Sequence, residues 1–132
     1  MKTVRDVLNA TGNEIISIAP HATVFEALRL LARKNVGAVL VMEGDRLVGI
    51  MSERDYARKV IMRGKSSKDT PVREIMTSQV LVVTPGSSLE DCMALMADKN
   101  IRHLPVVKEG EVSGVISIRD VVKALVAEKR RG

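Results

Sequence analysis

The chain has 132 residues, 45% of them hydrophobic and 28% charged, a composition that excludes a disordered chain and fits one domain or two small halves sharing a core. Its net charge of +5 fits a polyanionic partner, either nucleic acid or a small phosphorylated ligand. Aromatic residues make up only 2%, so the stacking platforms of single-strand nucleic-acid binders are absent.

Val4 to Leu8 reads as a short lead-in helix or turn, Thr11-Gly12-Asn13 as a loop, and Ile15 to Ile18 as a brief strand that Pro20 ends. The polar start Met1-Lys2-Thr3-Val4-Arg5-Asp6 has no signal-peptide core. Thr23-Val24-Phe25-Glu26 is a capping box, and the helix behind it is expected to run to about Lys34 with Val24, Ala27, Leu28 and Leu31 on its core face. Val36 to Met42 is the longest apolar run; it is far too short to span a bilayer and reads as a buried strand, so a cytoplasmic location is expected. Glu43-Gly44-Asp45 then turns the chain into a hairpin partner, Leu47 to Met51. A helix from Glu53 to about Met62 closes the first half.

Arg63 to Thr70 is polar, basic and glycine-containing, the composition of a solvated linker. Pro71 suits the first position of a short helix, Val72 to Met76, whose Val72-Arg73-Glu74-Ile75-Met76 repeats the pattern of Val4-Arg5-Asp6-Val7-Leu8. From there the chain repeats itself. Residues 20–55 and 85–120 align without a gap at an offset of 65, and ten of the 36 pairs are identical: Pro20, Leu30, Ala32, Lys34, Asn35, Val41, Gly49, Ser52, Arg54 and Asp55 with their partners. The expected organisation is residues 1–62, a linker 63–71, and residues 72–132. Each half has the order strand, helix, strand, strand, helix, so the fold class is α/β in the broad sense (α+β), with two pseudo-symmetric repeats packed as one compact module. Within the second repeat, Cys92 falls in an apolar helical pattern where a buried thiol is expected, and with only His21 and His103 as histidines no metal-ligand cluster is foreseen.

The strongest part of the repeat is Gly49-Ile50-Met51-Ser52-Glu53-Arg54-Asp55, which returns as Gly114-Val115-Ile116-Ser117-Ile118-Arg119-Asp120. Each copy runs from a strand end into a helix start, with a hydroxyl at the N-cap and a carboxylate three residues later. Two readings are open. Free backbone N–H groups and the positive dipole end favour an anion, with the carboxylate available to sugar hydroxyls. Alternatively, the pair is a capping box in which the acid reaches back to the cap N–H.

Together with Asn100-Ile101-Arg102-His103-Leu104-Pro105-Val106-Val107, the repeat length and the order of elements, these stretches make nearly the whole chain resemble a tandem pair of CBS (cystathionine β-synthase-type) domains, as in small stand-alone prokaryotic CBS-pair proteins. The resemblance implies a non-catalytic regulatory module that binds an adenosine-containing ligand (AMP, ADP, ATP or NAD) in clefts between the two repeats, with no catalytic cofactor. It implies that Ser52 and Ser117 meet phosphate, that Asp55 and Asp120 take ribose hydroxyls, and that Ile50 and Val115 lie against the base. Arg102 and His103 match basic positions that some family members use on phosphates. The first repeat has Gly37 and Ala38 there, so the two sites are expected to be unequal. Arg54 and Arg119 have two roles open, phosphate contact or pairing with neighbouring carboxylates.

Two other functions compete. The basic linker and the tail Lys129-Arg130-Arg131 support nucleic-acid binding, and a purely structural dimerisation module is the third reading; an enzyme is not expected, because no nucleophile with a base or metal is present. Tyr56, Val60, Ile61, Val121, Val122, Leu125 and Val126 exceed what the core of a chain this size needs, which predicts a homodimer. No membrane contact is foreseen.

Overall fold

The computed structural model describes residues 2–12 and 14–131, with side chains up to 130. Met1 of the polar start, Asn13, expected in a loop, Gly132 and the Arg131 side chain of the basic tail lie outside the described residues. The chain resolves into two compact units, Ile16–Val80 and Met1–Ile15 with Leu81–Gly132.

In the unit Ile16–Val80, β1 (Ser17–Ile18) pairs parallel with β2 (Ala38–Glu43), which pairs antiparallel with β3 (Arg46–Ser52). Between β1 and β2 runs a helix, Val24–Lys34, preceded in the chain by a helix of the other unit, so that it is α2 and Val4–Thr11 is α1. The capping box forms as the sequence predicts: the Glu26 N–H donates to Thr23 Oγ1 at 3.1 Å and the Thr23 N–H to Glu26 Oε2 at 3.3 Å. Asn35 closes α2 in a left-handed conformation with φ 55, which Asn tolerates through its short polar side chain and which accounts for its recurrence as Asn100, φ 54. Val24, Ala27 and Leu31 of α2 bury against Val39, Val41, Met51, Val60, Val72 and Ile75.

The helix expected from Glu53 to Met62 is present but not uniformly α-helical. After the single turn α3 (Glu53–Tyr56) it widens into a π-helical stretch, Ala57–Ile61, before Met62. The linker is also more ordered than its composition predicts. Carbonyls of Thr70 and Ser67 accept the first two N–H groups of α2, from Val24 at 2.8 Å and Phe25 at 3.0 Å, and Thr70 is buried with its hydroxyl on the Ser66 carbonyl. The linker thus caps a helix. The short helix expected at Val72–Met76 is a 3₁₀ turn, Val72–Glu74, after which Thr77 exchanges both backbone hydrogen bonds with Ile50. That approach explains Gly49: a Cβ there would stand 2.5 Å from Met76 Sδ and 3.0 Å from the Thr77 carbonyl oxygen.

The second unit repeats this plan with α4 (Leu89–Lys99), β4 (His103–Lys108), β5 (Glu111–Ser117) and α5 (Ile118–Arg131). β4 and β5 pair antiparallel, and the register shifts between Val106 and Val107, the counterpart of the shift between Val41 and Met42. The opening strand shrinks to one parallel bridge, Val83 with Val106. Cys92 is buried, and burial pushes its thiol pKa up, with the Asp91 charge adding to the rise.

The lead-in segments are where the units depart from chain order. Val4 and Arg5 donate their N–H groups to the carbonyls of Ser87 and Pro85, both at 2.9 Å, and α1 buries Val4, Val7 and Leu8 with Leu89, Met96, Ile116 and Val121. Reciprocally, Val72 and Arg73 donate to Ala22 at 2.8 Å and Pro20 at 2.9 Å. Ala22 and Pro20 are the repeat counterparts of Ser87 and Pro85. Each compact unit therefore takes its lead-in from the part of the sequence that introduces the other repeat. α1 also continues through Thr11, a residue read as loop, and Gly12 ends it with φ 90.

Of the residues counted as surplus to the core, Val60 and Val121 are buried core members and Tyr56 and Leu125 are partly buried; Ile61, Val122 and Val126 are exposed.

Candidate functional site

The two Gly-x-x-Ser-x-x-Asp stretches sit where the pattern places them, at the exits of β3 and β5 into α3 and α5. In the first, Ser52 is the last residue of the strand and the N-cap of the helix. The Ser52 N–H donates to Asp55 Oδ2 at 2.9 Å, the Ser52 hydroxyl donates to the same oxygen at 3.1 Å, and the Asp55 N–H donates to Ser52 Oγ at 3.2 Å. In the second, the Ser117 N–H donates to Asp120 Oδ2 at 3.2 Å and the Asp120 N–H to Ser117 Oγ at 3.1 Å. The carboxylates therefore cap their own helices.

This local satisfaction corrects the expectation of a row of open amides. The Glu53 N–H is taken by the Gly37 carbonyl at 3.0 Å and the Ile118 N–H by the Arg102 carbonyl at 2.8 Å. With the cap and third-position amides also engaged, little of the first turn is left open to an anion.

The side chains around the two caps differ between the repeats. Across the sheet Ser117 lies opposite His103, whereas Ser52 lies opposite Ala38. His103 is half-buried beside Asp120. Burial lowers its imidazole pKa from the ordinary 6.5, the Asp120 carboxylate raises it in part, and Arg102 lowers it. Arg102 is exposed just before β4, and Arg119 is exposed on the first turn of α5. Val115 in β5 is half-buried, as is Ile50 in β3, whose backbone is tied to Thr77. Arg54 and Asp55 are half-buried in α3.

The sequence reading missed Lys59. Its ammonium lies 3.2 Å from Asp55 Oδ1 and donates to the Ile75 carbonyl at 2.9 Å, so both oxygens of Asp55 are engaged. The spacing, four residues after an acid on a helix, was the available signal. At the matching position of the second repeat stands Ala124. Among the described residues Asp120 takes a hydrogen bond on Oδ2 alone.

The sequence pattern of the CBS domain matches residues 3–61 and 72–127. The chain belongs to the CBS domain family. It is 40% identical over 137 residues to the mitochondrial CBS domain-containing protein CBSX3 of Arabidopsis thaliana, covering 97% of this chain and 66% of that protein's length. A solved CBS-domain protein from Burkholderia ambifaria is 46% identical and superposes with a TM-score of 0.93, covering 96% of this chain and 95% of the other. The CBS domain protein PAE2072 from Pyrobaculum aerophilum, solved in complex with AMP, is 27% identical with a TM-score of 0.85, covering 99% of this chain and all of the other. The fold is thus the CBS-pair fold, a mixed helix and strand architecture in two repeats. Among the described residues no helix is long and apolar enough to cross a membrane.

Proposed function

We propose that this CBS-pair chain is a non-catalytic regulatory module of the cytoplasm that binds an adenine nucleotide, of the group AMP, ADP, ATP and NAD, and passes on its occupancy through shape or self-association. The observation that carries the reading is the Ser117–Asp120 cap beside His103 and Arg102. Asp120 keeps Oδ1 available for a ribose hydroxyl, Ser117 places a hydroxyl at the helix start, and two basic groups stand at the adjoining strand end. In this reading Asp120 takes the ribose, Ser117, Arg102, His103 and Arg119 meet phosphate, and Val115 lies against the base; Ile50, Ser52, Arg54 and Asp55 are the first repeat's counterparts. The AMP bound to the Pyrobaculum relative is the ligand chemistry this arrangement suits. Exposed Ile61, Met62, Val122 and Val126 support homodimer formation between copies of the chain.

Calorimetry with AMP and 2′-deoxy-AMP tests the site. A charge-assisted hydrogen bond contributes about 1.5–3 kcal/mol, so Asp120→Ala is expected to weaken AMP binding about 10- to 150-fold and to bring the two ligands close to equal affinity. Loss of the cap itself costs only about 1 kcal/mol of stability. If the variant melts earlier yet still discriminates ribose from deoxyribose as the native chain does, Asp120 is a cap alone and the assignment falls.

A further inference from the structure

The repeats offer a nucleotide two aspartates of the same origin, yet the structure leaves them in different states. Asp55 is closed on itself. Its Oδ2 accepts from the Ser52 N–H and hydroxyl, and its Oδ1 faces the Lys59 ammonium, with the Asp55 side chain only 14% exposed. Lys59 is held in turn by the Ile75 carbonyl, so its ammonium is fixed from two sides. It rises from the π-helical stretch Ala57–Ile61, a distortion its counterpart segment in α5 does not share, α5 being continuous from Ile118 to Arg131. Asp120 has neither constraint: Ala124 replaces the lysine, and His103, which pairs across the sheet with Ser117, stands beside it.

We infer that Lys59 is the residue that decides which repeat reads ligand: by occupying Asp55 it withholds the first repeat from ribose, and the chain takes one adenosine-containing ligand through Asp120. A ribose diol needs acceptor oxygens. At Asp120 it meets one already available. At Asp55 it must displace an ammonium from a half-buried carboxylate and leave that ammonium with a single fixed partner, while the diol brings no positive charge to replace it. The same substitution of alanine for lysine at one helix position therefore separates a reading repeat from a silent one. This inference rests on the proposed adenosine binding and refines it.

The test is AMP calorimetry on the native chain and on Asp55→Ala, Lys59→Gln and Lys59→Met. Glutamine keeps a donor for the Ile75 carbonyl while removing the charge from Asp55, and methionine keeps the stem, so two variants guard against misfolding of one. The native chain is expected to bind one AMP per chain. Either lysine variant is expected to gain a second equivalent, and Asp55→Ala placed in the same chain should remove that gain. Two equivalents in the native chain, one of them lost in Asp55→Ala, would overturn the role of Lys59 while leaving adenosine binding standing. A native chain that binds nothing beside a lysine variant that binds one would support the lock and move the site to the first repeat. Absence of binding in all four chains would overturn both readings.

Discussion

The exchange of lead-in segments makes a prediction that chain order alone would invert. Val4 and Val72 are both fully buried and hold equivalent places, but Val4 packs with α4, β4, β5 and α5 while Val72 packs with α2, β2 and β3. Replacing either with alanine removes two methyl groups, about 1.6 kcal/mol of transfer free energy, and the unfilled space brings the cost to roughly 2–3 kcal/mol. The backbone bonds to Ser87 and Ala22 survive the substitution, so the side chain is tested by itself. Native-state hydrogen exchange resolves where the loss falls. Val4→Ala is expected to lower protection of the amides in 89–121 by a factor of about 30–150 before it affects β2 and β3, and Val72→Ala is expected to do the reverse. Deleting residues 2–12 removes Val4, Val7 and Leu8 together, at about 1.5–3 kcal/mol each, a loss on the scale of a whole domain's stability. The segment Leu81–Arg131 should then lose its cooperative unfolding transition. If Val4→Ala instead loosens β2 and β3 while 89–121 stay protected, the assignment of the lead-ins is wrong.

Two further outcomes are expected. Gly49→Ala should cost about 1–3 kcal/mol by overpacking, and Met76→Ala in the same chain should recover part of it, because Met76 supplies two of the three close atoms and the Thr77 carbonyl supplies the other; thermal melts that match the native chain would refute this. His103 has a folded pKa below its ordinary 6.5, so as the pH falls through and below that value the unfolded chain takes up the proton more readily than the folded one, and stability drops. His103→Gln should flatten this part of the stability profile between about pH 7 and 5, and an unchanged slope would show that the imidazole is not held neutral by its surroundings.

What could be read from the sequence was whatever a few neighbouring residues settle among themselves. The Thr23–Glu26 box, the Ser-x-x-Asp caps and the buried strand Ala38–Val41 arise from contacts within one turn or from a short apolar run. The offset of 65 residues carried the family resemblance. Tertiary structure alone decided which lead-in joins which unit. Val4 and Val72 are the same residue in the same pattern, and Ser87 and Ala22 offer the same carbonyl, so either pairing satisfies the local chemistry and only the packing of distant side chains selects one. The state of the two aspartates was legible in part, since Lys59 stands four residues after Asp55 where Ala124 stands four after Asp120. What only the fold supplied is the carbonyl of Ile75, sixteen residues beyond Lys59, which holds the ammonium beside Asp55.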